Sequence, residues 1–226
     1  MTRESFHEEL EKTELELLSL GELAGTAVQR SIEALVHHDD EKAQAVIDAD
    51  NQIDELYLKI DGDVLRMLAL QSPVAEDLRL ISAILHCNLH LERVGDQAVN
   101  VAKLYLTTRE ARGSESMRQQ LEEMGAQVVT MVRTAMEALG RRDLDLALEV
   151  VTMDDPVDRL NRTTHLEALK LADDPVQLDW GLNMNMAARA LERVGDNAVD
   201  IAEQVGFLIT GEFREFTDAS HPVVTE

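Results

Sequence analysis

Leu91-Glu92-Arg93-Val94-Gly95-Asp96-Gln97-Ala98-Val99-Asn100-Val101-Ala102 recurs a hundred residues later as Leu191-Glu192-Arg193-Val194-Gly195-Asp196-Asn197-Ala198-Val199-Asp200-Ile201-Ala202, with nine of the twelve positions identical. The likeness continues outward from both segments. Ile32-Glu33-Ala34-Leu35 matches Met136-Glu137-Ala138-Leu139, Asp50 through Leu56 echoes Asp154 through Leu160, and Pro73-Val74 matches Pro175-Val176. Slightly unequal offsets are what loops of different length produce. The chain is two copies of one unit of about a hundred residues.

Each copy reads as three helices. Leu10, Thr13, Leu17, Leu20, Ala24 and Ala27 alternate spacings of three and four, the seam of a bundle helix. His37-His38-Asp39-Asp40 breaks that rhythm, and Ala43, Val46, Ile53, Tyr57, Ile60, Val64 and Met67 resume it. Ser72-Pro73 offers a helix start, with Ser at the cap and Pro in the first turn. A third seam follows through Leu80, Ile84, Cys87, Leu91, Val94, Ala98, Val101 and Tyr105, repeated from Trp180 to Val205. In the second copy, Asp155 before Pro156 has the form of another helix start. The expected fold is all-α, two tandem three-helix bundles: residues 1–110, residues 111–212, and a loose tail over 213–226. The polar stretch from Arg109 to Ser116 joins them.

Composition agrees. The 226 residues are 45% hydrophobic but only 3% aromatic, which favours helices over a β-sandwich. Four prolines leave room for long helices. Forty-four acidic against 21 basic side chains give a net charge of −23, so nucleic acid and anionic membrane are poor partners. Cations and basic protein surfaces suit it better. The lone Cys87 excludes an internal disulfide and fits a reducing, cytoplasmic setting. The charged opening Met1-Thr2-Arg3-Glu4 has no apolar signal core, and no uncharged run reaches the ~18 residues of a membrane span, so no direct membrane insertion is expected.

The third helix of each copy turns a carboxylate stripe away from its seam. Glu92, Asp96 and Asn100 lie at i, i+4 and i+8, as do Glu192, Asp196 and Asp200. Like charges four apart disfavour a helix unless solvent or a counter-ion screens them. Aligned carboxylates supply hard oxygen ligands for Mg, Mn, Ca or iron, although a solvated acidic face is the simpler reading of a stripe alone. Asp50 and Asp54, with Asp154 and Asp158, form a second pair on the middle helix, able to face the stripe across a groove if the helices are suitably rotated. Gly95 and Gly195 sit in mid-helix, where something packs close to the backbone.

The chain resembles the PhoU family of phosphate-signalling regulators, from about Phe6 to about Ile209. The residues that carry the likeness are Gln71-Ser72-Pro73-Val74-Ala75-Glu76-Asp77-Leu78-Arg79 and the two Glu-Arg-Val-Gly-Asp segments. The resemblance implies a pair of three-helix bundles and a non-enzymatic negative regulator. Such a protein restrains the phosphate ABC transporter through its ATPase subunit and holds back the associated sensor histidine kinase. A cytoplasmic protein, peripheral at the inner face of the membrane through its partners, is expected, and the outward faces leave room for a homodimer. It also implies surface metal sites, for Mg, Mn, Fe or Zn, at Glu92 and Asp96 and at Glu192 and Asp196. Asn100 and Asp200 follow on the same stripes, with Asp50, Asp54, Asp154 and Asp158 as weaker transfers. Pro73, Ala75, Asp77 and Arg79 become candidate partner contacts. Asn100 and Lys103 stand where the second copy has Asp200 and Glu203, so the second site should bind cations more tightly.

Other readings carry less. A metal-binding helical adaptor unrelated to phosphate fits the acidic face equally. A di-iron bundle enzyme needs two Glu-x-x-His motifs, and the chain offers only Glu4 to His7. His86 and His90 have zinc spacing, but the carboxylate stripe points away from them. They read as surface or interface histidines, and Cys87 and the methionines as core.

Overall fold

Six helices make up the computed structural model of the chain: α1 (Arg3–His37), α2 (Asp40–Leu70), α3 (Glu76–Thr108), α4 (Glu115–Arg141), α5 (Leu144–Leu169) and α6 (Pro175–Thr210). The structure describes residues 3–111 and 113–213, so all of the predicted tail but Phe213 lies outside the described residues. The spacing of three and four decides what is inside. Ile84, Cys87, Leu91, Val94, Ala98, Val101 and Tyr105 are all buried along α3, and Met184, Ala187, Leu191, Val194, Ala198, Ile201 and Val205 along α6. Cys87 is wholly enclosed and its thiol is pushed up to about 12, which makes it a small core residue rather than a nucleophile. Among the described residues, no helix is long and apolar enough to cross a membrane.

Most helix ends follow local chemistry. Asp39 caps α2 by accepting from the Lys42 N–H at 2.9 Å, and Asp143 and Asp174 cap α5 and α6 in the same way. Gly211, at φ 77°, closes α6 in the left-handed conformation. Two expected starts fail. Ser72-Pro73 does not open α3: residues 71–74 form a loop and the helix begins at Glu76, behind Ala75 at φ 44° and ψ −106°. The matching Pro175 does take the first turn of α6, because Asp174 stands before it as a cap. Nor does Asp155-Pro156 open a helix, since α5 starts at Leu144 and runs straight through Pro156. The proline deprives the Thr152 carbonyl of its helical partner, and Thr152 is exposed, so water can replace the lost bond.

Helices α1–α3 form one bundle and α4–α6 the other, as the duplication implies. The bundles share a single core running from Phe6 to Val205, through contacts of α1 with α4 and of α3 with α6. A side chain at Gly21 of α1 would strike Met136 of α4 at 2.7 Å, and one at Gly125 of α4 would strike Ile32 of α1 at 2.6 Å. Gly21 and Gly125 are equivalent positions in the two copies, and so are Ile32 and Met136. The contacts are therefore reciprocal: α1 and α4 run antiparallel about a local two-fold axis. Helices α3 and α6 are antiparallel too. Gly113, just past α3, donates to Gln177 at the start of α6, and Gly211, at the end of α6, lies against Arg79 in the first turns of α3.

These packings separate glycines that are needed from one that is not. Gly62 lies within α2, and a methyl group added there would meet nothing within 4 Å, so Gly62→Ala should stabilise by about 1 kcal/mol through helix propensity. Gly125→Val should destabilise by about 1–3 kcal/mol, because overpacking against Ile32 outweighs that gain. Urea midpoints at constant slope test both, and a neutral Gly125→Val would contradict the close α1–α4 approach.

Candidate functional site

Each copy makes its acidic site between its second and third helices. Ile53 of α2 presses on Gly95, where a Cβ would stand 2.9 Å from Ile53 Cδ1 and 3.8 Å from an Asp50 carboxylate oxygen. At Gly195 a Cβ would stand 3.1 Å from Asp154 Oδ1 and 3.5 Å from Met131 Cε. A mid-helix glycine costs about 1 kcal/mol relative to alanine. Here that absence of a side chain lets α2 and α5 bring their aspartates against α3 and α6.

The aspartate pairs thus meet the stripes, a matter that depends on helix rotation. In the first copy, desolvation raises the pKa of Glu92, followed by the charges of Asp96, Asp54 and Asp50, while Arg93 opposes them. Asp50 is raised by desolvation, Asp54 and Asp96, and Lys103 works the other way. The second copy is more strongly perturbed. Desolvation, Asp158, Asp155 and Glu192 lift Asp154 from 3.8 to about 6. Desolvation, Glu192, Asp154, Asp158 and Asp200 lift Asp196 from 3.8 to about 6. Asp154 Oδ1 is buried without a hydrogen-bond partner. A buried carboxylate oxygen so placed calls for a proton or a cation.

Not every expected residue serves the groove alone. Asn100 donates to Gln97 at 3.4 Å on its own helix. Asp158 shares its charge with Arg162 at 3.6 Å. Asp200 reaches across to the other bundle, where His90 lies 3.3 Å away and also contacts Asn197 Oδ1 at 2.9 Å. His90 is therefore an interface histidine, and His86 is exposed against the Ser82 carbonyl. The His90–Asn197 link joins residues of different copies, which no spacing within one copy could have revealed. Among the described residues, no three His, Cys, Asp or Glu side chains come together closely enough to hold a metal ion. The carboxylates share an electric field rather than a ready coordination sphere.

The loop candidates lie at the end of the molecule where α3 begins. Pro73 and Ala75 are in the α2–α3 loop, beside Val74, which is 60% exposed. Asp77 pairs with His7 of α1 at 3.5 Å. Arg79 packs against Gly211, beside the C-terminus of α6, where a cation suits the helix dipole. Asp77 and Arg79 thus hold the fold at this end, leaving Pro73 and Ala75 as the freer surface.

A protein-family model described as the PhoU domain matches residues 17–105 and again 121–205. The phosphate-specific transport system accessory protein PhoU homolog of Pseudomonas aeruginosa is 37% identical over 219 residues, covering 96% of this chain and 88% of its own. The Clostridium acetobutylicum homolog is 33% identical over 220 residues, covering 96% of this chain and all of its own. The crystal structure of PhoU from Pseudomonas aeruginosa superposes with a TM-score of 0.87 at 38% identity, over 92% of this chain and 100% of that one. The phosphate transport system regulatory protein PhoU from Streptococcus pneumoniae gives 0.85 at 28%, over 92% and 99%.

The raised carboxyls make metal-free stability depend on pH. Asp154 and Asp196 bind protons more readily when folded than the 3.8 of the free side chain allows. Their protonated form favours the fold fully below 3.8, and that contribution disappears as pH rises through about 6. In chelator-treated protein the urea midpoint of Asp154→Asn/Asp196→Asn should exceed the parent's near neutrality, the difference closing as pH falls to about 4. A difference that does not change with pH would contradict the coupled, desolvated carboxyls.

Proposed function

Because the chain belongs to the PhoU family, we propose that it is a negative regulator of phosphate uptake and of phosphate-responsive two-component signalling. The observation that carries this reading is likeness along the whole chain, 37% identity over 96% of its length, to a protein named for its role as accessory to phosphate-specific transport. Regulation then proceeds by protein–protein contact and not by catalysis. The partners are the ATPase subunit of the phosphate ABC transporter and the phosphate sensor histidine kinase. The chain works as a cytoplasmic homodimer brought to the inner membrane face by those partners. Its six packed helices supply faces for such contacts, and the α2–α3 loop presents half-buried Pro73 beside exposed Val74 and Ala75.

The two acidic grooves are read as cation sites that modulate those contacts. Desolvated carboxylates that raise each other's pKa gain from a cation in place of a proton, and the unpartnered Asp154 Oδ1 favours one in the second copy. All the donors are hard oxygens, which suit Mg, Mn or Fe better than Zn. Glu92, Asp96, Asp50 and Asp54 would hold one cation site, and Glu192, Asp196, Asp154 and Asp158 the other. Asp200 adds charge to the second, whereas Lys103 opposes charge in the first.

Co-purification of the transporter ATPase subunit with the full chain, with and without phosphate, tests the regulatory reading. Association with transporter or kinase is expected, together with derepressed phosphate-responsive transcription when the gene is deleted; the absence of both would sink it. For the cation sites, Mn titration by calorimetry should show tighter binding lost in Glu192→Ala/Asp196→Ala than in Glu92→Ala/Asp96→Ala. Equal losses would contradict the ranking of the two sites.

A further inference from the structure

The second acidic groove reaches beyond its own bundle through Asp200. Behind desolvation, Glu192, Asp154 and Asp158, the charge of Asp200 adds to the raised pKa of Asp196. Yet its Oδ2 lies 3.3 Å from Nδ1 of His90, on α3 of the other bundle. The same Nδ1 stands 2.9 Å from Asn197 Oδ1. Asn197 donates its Nδ2 to the Arg193 carbonyl at 2.6 Å, so the atom it turns to the ring is an acceptor. Facing an amide oxygen and a carboxylate, Nδ1 of His90 carries the proton. The imidazole is the more enclosed partner, 13% exposed against 48% for the Asp200 side chain. His90 is thus the fixed member of the pair and Asp200 the movable one.

The local two-fold axis separates this contact from general packing of α3 on α6. Those helices are antiparallel equivalents, so His90, Asn197 and Asp200 have counterparts in Ala190, Gln97 and Asn100. Ala190 offers no donor, and Asn100 turns to Gln97 on its own helix. The other bundle therefore supplies a donor to the second groove at a position where the first receives none.

Two forces act on Asp200. Asp196 repels it from the groove, and His90 attracts it across the bundle interface. A cation beside Asp196 reverses the first force and draws Asp200 inward, against the hold of His90. We infer that His90 is a positioning residue for the second groove, holding Asp200 aside until a cation competes for it, and so setting the cation concentration at which the groove fills. The inference rests on the cation reading above. By linkage, a cation that takes Asp200 also loosens one contact between the bundles.

Calorimetric Mn titration of the full chain in a Glu92→Ala/Asp96→Ala background, which leaves the second groove alone, tests it. His90→Leu fills similar space without a donor and should tighten Mn binding about two- to fivefold, the reach of a partly exposed charge contact. His90→Asn, which returns an N–H close to the place of Nδ1, should bind as the background does, a rescue that a packing role does not produce. Asp200→Asn should weaken binding, and adding His90→Leu to it should change nothing further. Thermal unfolding checks that each variant is folded. In isotope-labelled protein with His90 intact, Mg should shift the His90 Nδ1 resonance, and Asp200→Asn should abolish that shift. Unchanged affinity in His90→Leu, an equal gain in His90→Asn, a gain that persists beside Asp200→Asn, or an unmoved His90 resonance overturns the positioning role and leaves the cation sites standing. A background chain that binds no Mn overturns both.

Discussion

Helices approach one another only as closely as the residues between them allow, and Gly21, Gly95, Gly125 and Gly195 place no side chain in the way. Gly21 and Gly125 let Met136 and Ile32 settle against the opposite bundle, and Gly95 and Gly195 let α2 and α5 press onto the third helices. The first pair turns two bundles into one core. The second brings aspartates of one helix into the field of carboxylates on the next. Both the shared core and the acidic grooves depend on these approaches, at a cost in helix propensity of about 1 kcal/mol each.

Much of this is legible in the sequence. The duplicated twelve-residue segment implies two units, and the alternation of three and four implies three helices in each. The seam residues Leu91, Val94 and Ala98 are buried as their spacing requires. Helix ends are less legible, because the same dipeptide does different work in different surroundings. Pro175 opens α6 behind the Asp174 cap, while Pro73, with no such cap before the helix, stays in a loop. Pro156 has a start-like neighbour and still lies inside α5, because an exposed turn tolerates the missing hydrogen bond. The stripes of Glu92, Asp96, Glu192 and Asp196 can be read from periodicity, but their meeting with Asp50 and Asp154 depends on helix rotation. The contact of His90 with Asn197 depends on how whole bundles dock, and no local pattern encodes that.

The two acidic grooves have diverged in step with their surroundings. The first keeps Lys103 within reach of Asp50, and Asn100 turns to Gln97, so its carboxyls are only moderately perturbed. The second has lost both moderating features. It holds Asp154 and Asp196 at about 6 and leaves a carboxylate oxygen buried without a partner. The net charge of −23 is thus partly concentrated where neighbouring helices screen some carboxylates partly from water and the charges strain against one another.

The reciprocal packing of α1 on α4 has a further meaning. A surface that meets its own equivalent about a two-fold axis is an isologous interface, the kind that holds homodimers together. Here both partners lie on one polypeptide, tied by the short connector between α3 and α4. Tethering replaces a bimolecular encounter with an intramolecular one at high effective concentration, so the paired arrangement survives dilution. Fusion also releases the halves from identity. Ser82 and His86 in one can become Leu182 and Met186 in the other, which a true homodimer could never allow.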